Sequence, residues 1–456
     1  MSGWAFFLTS LFWIKEVSLP GAFALTFYLA LYPAVWATLV VKFAAKANLK
    51  NALLVATWWA GLEWLRGLLL TGFGWHQLGV MLHPLSWLIQ PAEWIGSAGL
   101  SLPLMFVSAS LFYGLWAQRW KPSGIAVVAT LVVWGGIGWL LEHQANAIPS
   151  KELQVLLVQG NISQQEKWED QAKESMGAQL PEEVVKAAQD RIMSRYDQLH
   201  DFTKAAVESG PLDLVVWPES SLHYPFHSEL NQSFLDTVSK MGNFTLAFGC
   251  DVTDPGVYNC LVALRGGYEN AEIYRKVHLV AFGEYIPLRK ELPFLESIAG
   301  DLIPYDFDAG TVTDPLVLKG DSVEIIPSVC FEDTVPRHMR KFITDHPQII
   351  VNVANDAWFN ETAQQEQHFW NARLRAVELR RPTVRSANTG VSFALSSTGA
   401  LLGRMEKYQA DTLRVTVPVP QEGKITLYAR WGDWFSVLVG SLGLLYGIIT
   451  SRLGGR

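Results

Sequence analysis

The sequence predicts a multi-pass α-helical membrane domain followed by a layered α/β domain. Residues 1–150 carry only 11 charged side chains, whereas the remaining 306 residues carry 68. Thirteen of the 19 Trp also lie before residue 150. A change of this size in charge density indicates that the chain passes from lipid into water, and that it contains more than one structural unit.

The apolar runs of the first third are long enough to cross a bilayer, which takes about 17–25 residues. The predicted crossings are residues 21–41, 53–70, 91–117, 125–141 and, near the C-terminus, 434–450. The shorter run 4–14 lacks the basic start and the small-residue cleavage site of a signal peptide, so we expect a short or incomplete spanning helix there.

Lys and Arg in short loops set the orientation of a membrane protein. The basic clusters here are Lys42, Lys46 and Lys50; Arg119 and Lys121; and Arg452 and Arg456. An even number of predicted crossings separates these clusters, so all of them can face the cytoplasm. The same count places residues 145–430 outside the cytoplasmic membrane.

Two ions lie inside the second predicted crossing. Glu63 and Arg66 are three residues apart and therefore share one helical face. Charged groups within hydrocarbon usually mark a bundle interior. The sequence leaves two interpretations open: a structural ion pair, or a substrate role in which Arg66 meets a lipid phosphate.

The polar domain is predicted to alternate strands and helices. The predicted strands are 153–159, 212–217, 245–248, 260–264, 325–329 and 349–353, and the predicted helices are 181–204 and 362–381. Several strands are unbroken apolar runs, which is typical of strands buried on both faces. Alternation of this kind indicates an α/β layered domain. The predicted domains are residues 1–147 (transmembrane), 148–430 (polar domain) and 431–456 (C-terminal transmembrane helix).

Composition excludes several classes of function. The net charge of −7 argues against a nucleic-acid partner. The three cysteines contain no C-x-x-C pair, the ten histidines show no metal-ligand spacing, and no G-x-S-x-G motif is present. The sequence therefore predicts neither a metal nor another cofactor.

Three reactive residues stand where predicted strands end. Glu219 follows Leu-Val-Val-Trp-Pro, Lys276 lies in Ile-Tyr-Arg-Lys-Val, and Cys330 follows Ile-Ile-Pro-Ser-Val. Strand ends form the ligand crevice of α/β sheets, so the three can converge. We expect the ammonium to lower the pKa of the thiol, and the carboxylate to act as a proton shuttle.

Further motifs connect these residues in one order along the chain. They are Val158-Gln-Gly-Asn-Ile162, Val216-Trp-Pro-Glu-Ser220, Tyr274-Arg-Lys276, Phe282-Gly-Glu-Tyr-Ile-Pro287, Val329-Cys-Phe-Glu332, Asn355-Asp-Ala-Trp-Phe359, His368-Phe, Arg385-Ser-Ala-Asn-Thr-Gly390, and upstream Glu63-Trp-Leu-Arg66 and Thr71-Gly-Phe73. With this set the sequence resembles the apolipoprotein N-acyltransferases, membrane members of the nitrilase superfamily.

The resemblance implies an αββα nitrilase-like sandwich with a Glu–Lys–Cys triad of Glu219, Lys276 and Cys330. It implies supporting or substrate-binding roles for Glu284, Glu332, Trp358, Asn355 and Trp168. Glu284 would support the site, the two tryptophans would lie near the active site or substrate, and Asn355 and Glu332 would orient the cysteine loop. For Trp168 and Glu332 a purely structural role remains open.

The activity that the resemblance implies is acyl transfer in lipoprotein maturation, without a cofactor. The donor would be a phospholipid, and the acceptor the N-terminal amine of an S-diacylglyceryl cysteine on an apolipoprotein. The implied location is the bacterial cytoplasmic (inner) membrane, with the catalytic domain periplasmic. Two alternatives remain open: a membrane-tethered carbon–nitrogen hydrolase (amidase) that uses water, and a non-catalytic lipid-binding scaffold.

The sequence departs from the family pattern at three places. Family members usually carry two further membrane helices ahead of the region that matches residues 4–14, so we expect either an earlier start site or a shortened variant. Phe331 stands where Tyr is common, and Ala281 stands where Pro is common. None of these changes removes a reactive atom of the triad.

The segment 288–307 is rich in Leu, Ile, Pro and Phe and carries few charges. One interpretation is a loop that packs on the core of its own domain. The other is a lid that dips into the membrane interface and guides acyl chains.

Overall fold

The computed structural model describes residues 1–291, 293, 305–311, 316–318 and 323–454. Within these residues, helices come first and two six-stranded sheets follow, which confirms the predicted fold class. Most of the segment 288–307, the predicted loop or lid, lies outside the described residues.

The helices and strands are numbered in chain order. The helices are α1 (Ser2–Ser10), α2 (Leu19–Phe43), α3 (Leu49–Arg66), α4 (Ser86–Ile89), α5 (Ala92–Gly99), α6 (Ser101–Trp116), α7 (Trp120–Asn146), α8 (Gln164–Met176), α9 (Glu182–Glu208), α10 (Glu229–Ser239), α11 (Pro336–Met339), α12 (Gln364–Leu379), α13 (Leu427–Trp431) and α14 (Trp434–Gly454). The strands are β1 (Ser150–Gln159), β2 (Leu214–Val216), β3 (Thr245–Val252), β4 (Tyr258–Leu264), β5 (Glu272–Arg275), β6 (Leu316–Leu318), β7 (Val323–Val329), β8 (Gln348–Ala354), β9 (Thr383–Ala387), β10 (Phe393–Leu395), β11 (Leu401–Arg404) and β12 (Asp411–Pro420).

Two helices of the described chain, α2 and α7, are each long and apolar enough to cross a membrane. Helices α5 and α6 pass the same test only as a pair, with a bend of 60° between them. The predicted crossing 91–117 is therefore not one straight helix, and it counts as a crossing only if the bent pair spans the membrane together. Gly96 has a left-handed φ of +71°, and a Cβ there would lie 2.5 Å from the Tyr428 ring. Hydropathy does not register such a backbone break, which only glycine permits without strain.

The predicted crossing 53–70 forms α3, which ends at Arg66 and is not among the helices that could span a membrane by length and composition. In the C-terminal helix the apolar part, Trp434–Thr450, has 17 residues, which is the lower limit for a crossing. The five crossings predicted from hydropathy thus exceed the two, or three with the bent pair, that the described helices support.

Glu63 and Arg66 are both buried within the protein. The Glu63 carboxylate lies 3.8 Å from Arg66 Nη2 and accepts hydrogen bonds from the Leu78 N–H (2.8 Å) and the Ser101 hydroxyl. The Arg66 guanidinium lies 5.3 Å from the centre of the Phe7 ring. These contacts favour the structural ion pair over the substrate role.

The α/β domain consists of two sheets packed face to face, with helices on the outer faces. The strand orders are β12-β1-β2-β3-β4-β5 and β11-β10-β9-β8-β7-β6. In each sheet the central three strands are parallel, β1-β2-β3 and β7-β8-β9, and the flanking strands are antiparallel. One apolar cluster fills the space between the sheets, and another packs the outer face of the first sheet against α9 and α10. Burial on both faces explains why the central strands are continuous apolar runs.

The helical region reaches the α/β domain through aromatic residues that we call the aromatic seam: Trp13, Phe73, Trp75, Phe331 and Phe359. Phe73 stacks on Phe331 with ring centroids 6.5 Å apart, and Trp13 meets the edge of Phe359 at 5.0 Å. Phe331 directly follows Cys330. The membrane helices therefore form part of the surroundings of the predicted nucleophile.

Polar contacts reinforce this junction. The indole of Trp13 donates to Gln367 Oε1 (3.0 Å), and the Gln367 amide donates to the Ser10 carbonyl (3.0 Å). The Arg337 guanidinium donates to the carbonyls of Gly67 and Thr71. Buried hydrogen bonds of this kind fix the register between the two parts of the chain.

Candidate active site

Glu219 lies three residues beyond the end of β2 and is 6% exposed. Its Oε1 accepts a hydrogen bond of 2.7 Å from the side chain of Asn259 on β4. A Cβ on Gly249 would lie 2.5 Å from the Glu219 Cα and 3.2 Å from a methyl carbon of Val353. Glycine at position 249 thus allows the turn that carries Glu219 to lie against the neighbouring strand.

Lys276 directly follows β5 and is 1% exposed. Its ammonium donates to Glu284 Oε1 at 2.8 Å, and the same oxygen accepts from Asn259 at 2.8 Å. The other oxygen of Glu284 accepts from the Val280 N–H at 2.8 Å. Burial lowers the pKa of Lys276, but Glu284 and Glu219 raise it by more, so the ammonium stays charged.

Cys330 follows β7 and begins a short 3₁₀ helix, Cys330–Thr334, with a left-handed φ of +51°. The residue is partly exposed, and its thiol lies near the Glu219 carboxylate. A non-glycine residue with positive φ stores backbone strain, and such strain concentrates at functional sites. The strand-end rule thus placed all three residues correctly in the chain, and the structure brings them together.

The predicted lowering of the Cys330 pKa is wrong. Burial raises the pKa of this thiol well above its ordinary value, Glu219 raises it further, and Lys276 only partly opposes both. Burial also raises the pKa of Glu219, although Lys276 counteracts it. The sequence shows which charges are close but not how completely water is excluded, and here desolvation dominates. The resting site therefore holds a neutral thiol next to its base.

Glu332 is completely buried and connects the two segments that carry Lys276 and Cys330. Its Oε1 accepts from the N–H groups of Val277 (2.9 Å) and His278 (3.0 Å) and from the Tyr274 hydroxyl (2.8 Å). Its Oε2 accepts from the Val329 N–H at 2.9 Å. These bonds fix the backbone on both sides of the site, so Glu332 acts on the geometry of the site through its neighbours.

The described hydrogen bonds of Asn355 do not go to the cysteine loop. They go to Gln164 at the start of α8 (3.1 Å), to Asn388 directly after β9 (3.0 Å) and to the Ala357 N–H (3.4 Å). The side chain that holds the cysteine loop is Asn352, whose amide donates to the Cys330 carbonyl at 3.0 Å. The signal for Asn352 was present in the sequence as a single polar residue in an otherwise apolar strand.

Trp358 and Trp168 contact each other edge to face with ring centroids 5.2 Å apart. Trp358 belongs to the 3₁₀ helix Asp356–Phe359, beside the aromatic seam, and Trp168 lies on α8 and is 44% exposed. The two tryptophan rings therefore lie next to the aromatic seam, on the side of Phe359.

A buried charge network anchors the short helix Cys330–Thr334, and its members were not predicted as site residues. Asp333 binds His368 Nε2 (3.0 Å) and the Arg385 guanidinium, and the other ring nitrogen of His368 lies 3.3 Å from Asp356. All four side chains are at most 1% exposed. His368 and Arg385 fall within motifs noted above, but their partners are distant in the chain.

Taken together, these side chains can perform nucleophilic acyl chemistry. A thiol lies beside a carboxylate that can accept its proton, and a permanently charged ammonium lies between two carboxylates. The first turn of the helix that begins at Cys330 provides backbone N–H groups beside the sulfur.

Comparison with known proteins covers both parts of the chain. The Carbon-nitrogen hydrolase family matches residues 158–425, and the Apolipoprotein N-acyltransferase N-terminal domain matches residues 1–110. The apolipoprotein N-acyltransferase of Nitrosomonas europaea is 32% identical over 94% of this chain and 81% of its own length. That of Geobacter metallireducens is 31% identical over 93% and 78%. The chain belongs to the apolipoprotein N-acyltransferase family.

Two further comparisons were found. The apolipoprotein N-acyltransferase of Photobacterium profundum is 29% identical over 89% of this chain and 75% of its own length. Among solved structures, a carbon-nitrogen hydrolase from Helicobacter pylori covers 59% of this chain and 89% of its own, at 14% identity and a TM-score of 0.42. As a member of the apolipoprotein N-acyltransferase family, the protein is an acyltransferase with a helical region suited to a membrane and a carbon–nitrogen-hydrolase fold.

Proposed function

We propose that the protein transfers an acyl chain from a phospholipid to the N-terminal amine of an S-diacylglyceryl cysteine on apolipoproteins, through a thioester on Cys330. The observation that carries this mechanism is the convergence of the Cys330 thiol, the Glu219 carboxylate and the Lys276 ammonium at one point between the two sheets. The names of the relatives point to the same acceptor.

In the first step Cys330 Sγ attacks the ester carbonyl carbon while Glu219 accepts the thiol proton. Because the resting thiol is neutral, deprotonation and attack occur together. The tetrahedral oxyanion is stabilised by Lys276 and by the backbone N–H of Phe331. Collapse breaks the ester C–O bond, and Glu219 returns the proton to the leaving alkoxide. The products are acyl-Cys330 and a lysophospholipid.

In the second step the free α-amine of the acceptor attacks the thioester carbonyl. Glu219 accepts a proton from the nitrogen, the C–S bond breaks, and the departing sulfur recovers that proton. An α-amine has a pKa of about 8, so a base near the nitrogen is needed for fast amide formation. The scheme predicts ping-pong kinetics because the donor product leaves before the acceptor reacts.

Glu284, Glu332 and Asn352 are positioning residues in this scheme. Glu284 holds the ammonium, Glu332 ties the lysine segment to the cysteine segment, and Asn352 holds the Cys330 carbonyl. Trp358 and Trp168 form an apolar edge for acyl chains.

We infer that the catalytic domain is extracytoplasmic, at the bacterial cytoplasmic (inner) membrane. The hydroxyl of Tyr113, near the end of α6, donates to the carbonyl of Ala44 just after α2 (2.9 Å), so the first two basic clusters lie at the same end of the helical region. Lys50 lies 4.7 Å from the Tyr446 ring in α14, so the chain returns to that end. With the basic end in the cytoplasm, α7 leads the chain outward to β1.

The thioester can be tested with the phospholipid alone. Incubation of the purified protein in detergent micelles should give an acyl adduct on Cys330 by peptide mass spectrometry, and addition of a diacylglyceryl-cysteinyl peptide should discharge it to an amide. Cys330→Ala is the control, and its retention of the adduct would overturn the assignment. Release of free fatty acid without any amine acceptor would favour the hydrolase, and a native protein that forms no adduct would favour the scaffold.

Gly249→Ala is expected to lower the rate of adduct formation by about 10²-fold, which is the scale of effect that a misplacement of 1 Å has on catalysis. The reason is that the added methyl would lie 2.5 Å from the Glu219 Cα, so the turn that carries the base must move. The matched control is Gly136→Ala, because a methyl at position 136 meets no atom within 4 Å. Equal rates for the two variants would contradict the proposed placement of Glu219.

A further inference from the structure

A small cavity lined by both polar and apolar side chains lies beside the site and plays no part in the mechanism above. It has a volume of about 200 Å³ and is bounded by α8, by the loop after Glu219 and by the turn between β3 and β4. At about 30 Å³ per water this is the space of roughly seven water molecules, which suits the main chain of two residues.

Asp251 connects this cavity to the triad. It lines the cavity and stands directly opposite Asn259 in the β3–β4 ladder, so the two side chains share one face of the sheet. Asn259 is the residue whose amide binds Glu219 at 2.7 Å. Asp251 also lies on the same strand face as Gly249, the contact point of Glu219. The cavity therefore begins one side chain away from the catalytic base.

Hydrogen bonds fix two of the polar side chains that line the cavity. The Tyr224 hydroxyl donates to Glu174 Oε1 (2.6 Å), and His223 Nε2 lies 3.0 Å from the other oxygen of the same carboxylate. Thr253 forms part of the wall and is exposed. Burial and the neighbouring Glu219 raise the pKa of Asp251 to about 6, while Lys167 opposes the shift. At neutral pH its carboxylate is a hydrogen-bond acceptor.

The cavity and the aromatic seam are formed by different residues and lie on different sides of the site. None of the residues that line the cavity belongs to the seam or to the helical region that precedes β1. An acyl chain suits the aromatic side, which the membrane helices provide. A peptide backbone suits the polar side, since every residue of it carries an N–H and a C=O that need partners.

We propose that this cavity binds the peptide backbone that immediately follows the modified cysteine of the acceptor. The proposal rests on the acyl-transfer function above and assigns the acceptor subsite of the same site. The Asp251 carboxylate accepts a backbone N–H of the acceptor, and this contact holds the α-amine near Glu219 and the thioester.

The test separates the second step from the first. The native enzyme is loaded with acyl chain from phosphatidylethanolamine, freed of excess donor, and mixed with three acceptors: S-diacylglyceryl cysteinamide, and peptides with two or five residues after the modified cysteine. The second-order rate constant for discharge of acyl-Cys330 should rise about tenfold from the first acceptor to the second, which is the effect of two ordinary hydrogen bonds. It should rise little further with five residues.

Thr253→Trp fills the cavity from its exposed rim and should reduce the ratio of long-acceptor to short-acceptor rate constants to about one. Asp251→Asn should reduce the same ratio in part. The matched control is Asp197→Asn, in a separate groove between α9 and α10, which should keep the native ratio. Because the measurement is a ratio, a general loss of activity does not imitate the effect.

Each outcome is decisive for one of the two proposals. Native rate constants that do not depend on acceptor length, or a Thr253→Trp enzyme with the native ratio, would overturn the acceptor subsite alone. A Thr253→Trp enzyme whose loading differs between phosphatidylethanolamine and phosphatidylglycerol, with acceptor dependence intact, would assign the cavity to the donor headgroup instead. Absence of the acyl adduct in the native enzyme would overturn the thioester, and the subsite with it.

Discussion

Lys276→Met should lower the rate of acyl-Cys330 formation by about 10³-fold, the upper end of what one oxyanion donor contributes. Among the described ion pairs, the ammonium is the positive group bound to Glu284, and it lowers the pKa of Glu219. Without it the oxyanion loses its cationic neighbour, and Glu219 binds its proton more tightly. Since the unprotonated carboxylate is the base, the acidic limb of the pH–rate profile should move to higher pH. Rates of adduct formation measured between pH 5 and 9 would show both effects.

Two controls separate chemistry from folding in this experiment. Lys240→Met removes an exposed ammonium from an i,i+4 pair with Asp236 and should leave both rate and stability nearly unchanged. Lys276→Met combined with Glu284→Gln removes one carboxylate together with the ammonium, so the double variant should regain stability while its rate stays low. A Lys276→Met enzyme within tenfold of the native rate would contradict the role given to the ammonium.

Asp333→Ala should destabilise the protein by about 3–5 kcal/mol, as expected when one member of a buried ion pair is removed. Arg385 has no exposed surface, and its Nε and Nη1 already lack hydrogen-bond partners among the residues that the structure describes, so the loss of Asp333 leaves a buried cation unpaired. The midpoint of thermal unfolding in detergent, followed by tryptophan fluorescence, should fall by about 5 °C. Adduct formation should fall as well, because Asp333 lies in the same short helix as Cys330.

The matched control is Asp201→Ala, which removes a carboxylate that is 76% exposed and pairs only with His200 among the described contacts. It should change the midpoint by no more than a degree or two. A second comparison is Asp333→Ala with Arg385→Met, which removes both charges and should recover much of the loss. If Asp333→Ala and Asp201→Ala unfold at the same temperature, the network does not anchor the cysteine helix.

The sequence predicted those features that depend on periodicity and on the ends of strands. The continuous apolar runs predicted β1, β2 and β3 of the first sheet and β7 and β8 of the second, but not β9, and the ends of these runs gave the positions of Glu219 and Cys330. Charge density separated the helical region from the α/β domain. Each of these signals is local, because a strand or a helix displays its burial pattern in consecutive residues.

The sequence did not predict features that depend on distant contacts or on the exclusion of water. The neutral state of Cys330 follows from burial that no local pattern reveals. The bend between α5 and α6 follows from one left-handed glycine packed on Tyr428, more than 300 positions away. Asn259 and Asp251 were missed because their relevance arises only when β3 and β4 align in register.

The junction formed by the aromatic seam means that the two parts of this enzyme are not interchangeable modules. A fragment beginning at β1 would lack Phe73 and Trp13, which contact Phe331 and Phe359. Its surface would then expose an apolar patch that includes Phe331, the residue next to the nucleophile. Truncation would therefore not yield a water-soluble version of the catalyst. Conversely, a shift of the segment that carries Trp13, or of the loop after α3 that carries Phe73, would change the packing of Phe359 and of Phe331, the neighbour of the nucleophile.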